Sequence, residues 1–287
     1  MTYSLEIENL TKTYPDSDFR LDNVSFSIPR GTIMGFVGEN GAGKTTTMSA
    51  VLNIIRKDSG TIKILGQEMS DKDRELREQV GVVFDAANFS ELLTPSKLAK
   101  VMAGTYKQWD QELFLRLATR FNLELGKKIG KYSRGMKMKL ALTVALSHRP
   151  KLLILDEATS GLDPIVREEI LSVFLEFIEN EDHSILMSSH ITSDLEKIAD
   201  YITFIHQGQV LLTESKDRLI YEYGIARCKT EQFEQIDPAD RLAYRKRDYQ
   251  IDVLVSDRQA FERKYGRIVM DTGTIDEIML LLVKGGR

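Results

Sequence analysis

The chain has 287 residues, a length that fits one large domain or two smaller ones. Hydrophobic residues make up 42% and charged residues 29%, enough apolar material for a packed core, and the net charge of −4 excludes a polycation built to coat nucleic acid. The one cysteine, Cys228, excludes an internal disulfide framework and points to a reducing compartment.

The first residues lack a basic region followed by an apolar one, so no signal peptide is expected. No apolar run reaches the roughly 20 residues that a spanning helix needs, so any membrane role is expected to be borrowed from a partner. Leu5 to Leu10 alternates apolar and polar residues as a half-buried strand does, and Leu21 to Ile28 repeats the pattern. Ile33 to Val37 is a short, mostly apolar run that suits a strand buried on both faces. It leads into a glycine-rich stretch, and a helix is predicted from Lys44 to about Ile55. Val80 to Phe84, Leu152 to Leu155, Ile185 to Met187 and Tyr201 to Ile205 read as further buried strands.

Strand signals vanish between Pro95 and Pro150. Leu98, Val101 and Met102 keep helical spacing, as do Leu113, Leu117 and Phe121, and Lys137 to Ser147 reads as another helix. A helical insertion at about 86–150 thus interrupts alternating strands and helices, and that alternation implies a mainly parallel sheet covered by helices. A turn at Gln207-Gly208 joins two strands. After about Ser215 the character changes: Tyr249 to Val253 alternates at strand period and Thr274 to Val283 looks helical. The expected organisation is a domain over 1–215 and a small α+β appendage over 216–287.

Gly38-Glu39-Asn40-Gly41-Ala42-Gly43-Lys44-Thr45 matches the phosphate-binding loop pattern completely, and it sits after an apolar strand and before a helix, as the pattern requires. Glycines let backbone N–H groups turn toward a phosphate with no side chain in the way. The helix that starts near Lys44 adds its positive end. Lys44 can reach the β- and γ-phosphates, and the Thr45 hydroxyl can hold Mg²⁺. Leu152 to Leu155 then places Asp156 at the end of a buried strand, where ligands of open parallel sheets bind. Asp156 is suited to Mg²⁺, mostly through water, and Glu157 beside it to polarising an attacking water. A glycine-rich turn and an acidic helix cap are the plain structural alternatives; their occurrence together favours a nucleotide site.

With these residues in place, the sequence resembles the ATPase subunit of an ABC transporter over about residues 3 to 215. The resemblance implies a P-loop NTPase core of the ABC type, with an antiparallel β layer near the N-terminus and a helical subdomain. It implies that Tyr14 stacks on adenine, that Thr46 joins the nucleotide contacts, and that His190 is a switch histidine touching the γ-phosphate. Tyr132 to Lys137 falls where the family's signature belongs, and Ser160-Gly161-Leu162-Asp163 matches its D-loop. Ser133 is a good N-cap, and Gly135 leaves the helix start open to an anion. In the family two subunits pair head to tail, and each signature caps the other's γ-phosphate.

Arg134 and Met136 replace the usual glycine and glutamine of that signature, a looser form that resembles the drug and lantibiotic exporter branch. Asp85 stands where a glutamine is usual; a carboxylate there suits Mg²⁺, and a tolerated swap in a loop is the plain alternative. The implied cofactors are ATP and Mg²⁺. The implied partners are a second ATPase subunit and a polytopic membrane permease received near Ala86 to Pro95, which puts the chain on the inner face of the cell membrane. Lys127, Lys128, Lys131, Arg134, Lys137 and Lys139 form a basic stretch, but interleaved aromatics are scarce there and no nucleic acid is expected. Two rivals are an ABC-type ATPase acting on ribosomes or DNA, which usually has two cassettes or a coiled-coil insertion, and a module that binds nucleotide without turnover. Glu157 and His190 argue against the second.

Overall fold

The computed structural model describes residues 2–70, 73–84 and 89–286. Strands β1 (Tyr3–Tyr14) and β2 (Ser17–Pro29) form a hairpin, and β3 (Ile33–Val37) follows with all five residues buried. Helix α1 (Lys44–Val51) is shorter than its sequence predicts. Asn53 adopts a left-handed backbone with φ of 54°, which ends the helix as asparagine readily does. Next come β4 (Ser59–Ile64), β5 (Gln67–Glu68), α2 (Arg74–Glu78) and β6 (Val80–Val83).

Three helices then take over, as the missing strand signals predict: α3 (Pro95–Thr105), α4 (Gln111–Arg120) and α5 (Arg134–Ser147). Strand β7 (Leu152–Asp156) leads to α6 (Pro164–Ile178), whose start combines an Asp163 cap with proline in the first turn. The chain continues through β8 (Ser184–Ser189), α7 (Thr192–Ile198), β9 (Tyr201–His206) and β10 (Gln209–Ser215). The last stretch is α8 (Lys216–Tyr221), β11 (Gly224–Cys228), α9 (Thr230–Glu234), β12 (Ala243–Lys246), β13 (Ile251–Val255), α10 (Arg258–Tyr265), β14 (Val269–Asp271) and α11 (Ile275–Lys284).

These strands build three sheets. The central one has the order β10-β9-β3-β8-β7-β6 and is parallel apart from β10, which closes the β9 edge as a hairpin. Its two faces are sorted by strand alternation. Met34, Phe36, Leu152, Ile154 and Leu186 face α1 and the antiparallel layer β2-β1-β4-β5. Ile33, Val37, Leu153, Leu155, Ile185 and Met187 face a second core filled from α3 to α7. The arrangement is the one the resemblance implies, an α/β core with the glycine-rich loop after β3, an N-terminal antiparallel layer and a helical segment between β6 and β7.

The C-terminal residues form an α+β unit on an antiparallel sheet β12-β13-β11-β14. The unit keeps a small core of its own around Ala226, Cys228, Val253 and Phe261. Its other face is not separate from the ATPase body: Ile225, Leu254, Ile275, Ile278 and Leu281 share one continuous core with Leu195 and Ile198 of α7.

Candidate functional site

The phosphate loop occupies the turn between β3 and α1. Gly43 has φ of +112°, a conformation that side-chain-bearing residues rarely adopt, and a Cβ on Gly38 would sit 2.4 Å from the Ile205 carbonyl oxygen. The loop is therefore bound to glycine by its own geometry. It borders a cavity of about 260 Å³ whose wall includes Asn40, Gly41, Lys44, Thr45, Thr46 and Glu157. Lys44 is 6% exposed, and its ammonium donates to the Gly38 and Glu39 carbonyls at 2.7 and 3.3 Å. Ala42 N–H donates to the Glu39 carbonyl and tightens the same turn.

The end of β7 brings the acidic pair to this loop. The Thr45 hydroxyl donates to Asp156 Oδ2 at 2.7 Å, and the Ser188 hydroxyl donates to Asp156 Oδ1 at 2.5 Å. Ser188 in turn accepts the Glu157 N–H at 3.0 Å, so one side chain of β8 ties the Asp156 carboxylate to the Glu157 backbone. Glu157 has a left-handed backbone with φ of 54°. Its Oε1 lies 3.6 Å from Lys44 Nζ, and its Oε2 meets His190 Nδ1 at 2.5 Å. Lys44, Thr45, Asp156, Glu157 and His190, joined through Ser188, thus form one connected set at the start of α1 and the C-terminal ends of β7 and β8. Thr45 and Asp156 offer hard oxygen donors side by side, a chemistry that fits Mg²⁺. Among the described residues no cluster of three His, Cys, Asp or Glu side chains could enclose a metal.

Other residues singled out in the sequence lie elsewhere. Tyr14 ends β1 half-buried, with the Lys12 ammonium 5.4 Å from its ring. It is not part of the cavity wall, whereas Phe19 is, its ring tip approaching the Gly43 backbone. Ser133 caps α5 by accepting the Met136 N–H at 3.3 Å. A Cβ on Gly135 would meet Val166 at 3.4 Å, an ordinary contact, so packing within the chain does not require glycine there. Both residues are outside the phosphate-loop cavity. Asp163 caps α6 through the Ile165 and Val166 N–H groups, and the Arg134 guanidinium packs against Gly161 of the same loop. Asp85, with Ala86, Ala87 and Asn88 of the expected coupling surface, falls outside the described residues.

Two participants escape sequence reasoning. Ser188 reads only as part of a strand end, and Phe19 as an ordinary β2 residue; neither belongs to a pattern with a fixed spacing. The basic stretch is partly neutralised: Lys127 pairs with Glu124, Lys137 with Glu91 and Lys139 with Glu169. The Lys137 partnership also holds the Glu91 carboxyl below its usual range. Among the described residues no helix is long and apolar enough to cross a membrane.

The sequence matches the ABC transporter family over residues 21–160. It is 35% identical over 214 residues to the bacitracin transport ATP-binding protein BcrA of Bacillus licheniformis, covering 74% of this chain and 69% of that one. It is 36% identical to the lantibiotic transport ATP-binding protein SrtF of Streptococcus pyogenes, covering 74% and 91%. A solved structure titled as an ATP binding subunit of an ABC transporter superposes with a TM-score of 0.68 at 28% identity, over 75% of this chain and 91% of that one. The chain belongs to the ATP-binding proteins of the ABC transporter family, and it is an ATPase of ATP-driven transport.

Proposed function

We propose that this chain pairs with a second ATPase subunit around ATP and Mg²⁺, and that closure of the pair drives a separate membrane subunit to export an antibiotic-like small molecule or peptide. The observation that carries the chemistry is the connected set around Glu157, which stands between the Lys44 ammonium and the His190 ring. On this reading Lys44 leaves the Gly38 and Glu39 carbonyls for the β- and γ-phosphates, whose oxygens are stronger acceptors. Glu157 orients and polarises the attacking water, and His190 holds the carboxylate in place and contacts the γ-phosphate. Mg²⁺, when bound, neutralises phosphate charge; Thr45 and Asp156 are the residues assigned to hold it, with Asp85 as a further oxygen donor. Thr46 and the N–H groups of Gly38 to Gly43 cradle the nucleotide, and Tyr14 stacks on its base.

Ser133 and Gly135 supply the second wall, acting on the nucleotide of the partner subunit. This explains a glycine at 135 that its own chain does not need. The names of the bacitracin and lantibiotic relatives support this cargo class. The membrane subunit would dock near Ala86 to Pro95 and hold the chain on the inner face of the membrane. Two measurements test the proposal. The purified chain should release phosphate from ATP only with Mg²⁺, and pull-down from its own cells should recover a polytopic membrane protein. Phosphate release without Mg²⁺, or recovery of no membrane protein, would refute it.

A further inference from the structure

Helix α7 starts two residues after His190 and is held on both flanks. Toward α6, Arg167 lies 3.9 Å from the buried Asp194 carboxylate, and Lys197 pairs with Glu168. Toward the C-terminal unit, Glu196 makes two ties. Its carbonyl accepts the Lys216 ammonium at 3.0 Å, and its carboxylate Oε1 accepts the Ile275 N–H at 3.1 Å. The second tie has a clear physical origin. The first N–H groups of a helix have no partner within it, and the helix start is electropositive. At the start of α11, Thr274 takes the Glu277 N–H and Glu277 reaches back to the Thr274 N–H. The Ile275 N–H is left to a carboxylate from the ATPase body. Beneath it, Leu195 and Ile198 pack in the same core as Ile275 and Ile278.

His190 needs such support. Its side chain is 51% exposed, so surrounding atoms do not cage the ring on its Glu157 partner. Its backbone placement does that work, and the backbone runs directly into α7. We infer that Glu196 is a positioning residue for His190: by holding the first turn of α11 it fixes α7 against the C-terminal unit, and so holds the histidine against Glu157. The inference rests on the hydrolytic reading of Glu157 and His190. It makes the C-terminal unit part of turnover through α7, a route separate from the Lys284 ammonium of α11, which lies 4.0 Å from the Glu39 carboxylate of the phosphate loop.

The test is steady-state phosphate release by the full chain over a range of ATP concentrations. Glu196→Ala should lower kcat about fivefold and leave KM for ATP within about twofold. Glu196→Gln keeps an oxygen that accepts the Ile275 N–H, and it should restore kcat to within about twofold of wild type. In a His190→Ala background, Glu196→Ala should cause no further loss, because both act through one contact. Glu196→Asp, which shortens the reach with little change in shape, replaces the alanine variant if that chain fails to fold. Full kcat in Glu196→Ala, equal losses in the alanine and glutamine variants, or losses that add to that of His190→Ala would each overturn the inference while leaving the site reading intact. A wild-type chain without ATPase activity, or a His190→Ala chain as fast as wild type, would overturn the site reading and this inference with it.

Discussion

The phosphate loop and the start of α5 look alike on paper: each puts glycine and a hydroxyl residue at the electropositive end of a helix. In the folded chain they differ. The loop is surrounded by its own chemistry, with Lys44, Asp156, Glu157 and His190 connected by hydrogen bonds and close charges. At the start of α5, Ser133 is occupied in capping the helix, and Gly135 meets its neighbours at ordinary distance. A glycine demanded by its own fold and a glycine that leaves room open are different signals. The first marks a site built within one chain, and the second suits a surface shaped for something outside it.

The largest effect that would sharpen this contrast is at Glu157. Glu157→Gln should lower phosphate release by about 10²–10⁴-fold, because the amide keeps the shape but loses the carboxylate that polarises water. ATP binding should survive, and light scattering should show a pair trapped with ATP. Near-normal turnover would remove Glu157 from the mechanism. A smaller loss is expected at the other wall. Gly135→Asp should cut hydrolysis about 10²-fold through repulsion of the phosphate across the pair. ATP affinity of the unpaired chain, read by titration calorimetry, should stay within about twofold. A matching loss of affinity in the unpaired chain would mean that α5 serves its own loop and that the contrast is false.

The smallest effect tests the far end of the same helix. His148 caps α5, is 2% exposed and stacks on Tyr106 with ring centroids 4.1 Å apart. Burial depresses its pKa below the usual 6.5. The unfolded chain therefore binds the proton more readily, so the neutral ring favours folding above about pH 6.5 and that contribution is lost as pH falls below it. Thermal melts at pH 7.5 and 5.5 should show a drop in Tm that is about 2–4 °C smaller in His148→Gln than in wild type. Equal drops would show that His148 does not sense the acid range.

Much of this was legible from local pattern. The strands β3, β7, β8 and β9 announced themselves as apolar runs, and the phosphate loop and Asp156-Glu157 as motifs with fixed neighbours. Helix α6 has a strong start signal in Asp163-Pro164, but exposed Ile165 and Leu175 blur the apolar face that would mark its period. Helix α1 ends earlier than its sequence pattern predicts because Asn53 in the left-handed region stops it without a glycine or proline to mark the place. Ser188 and Phe19 gain their positions from strand register, which no linear pattern encodes. The tie from Glu196 to Ile275 joins residues 79 apart, and its two ends belong to elements that each look complete by themselves.

The left-handed backbone of Glu157 has an evolutionary consequence. A residue with a side chain held there costs the folded state about 1–2 kcal/mol relative to one that avoids the clash. Glycine at 157 would relieve that strain and remove the carboxylate in the same step. Selection for heat resistance with no demand for turnover should therefore erode the position from glutamate, and a thermostable library chosen without an activity screen would be enriched in chains that bind ATP without hydrolysing it.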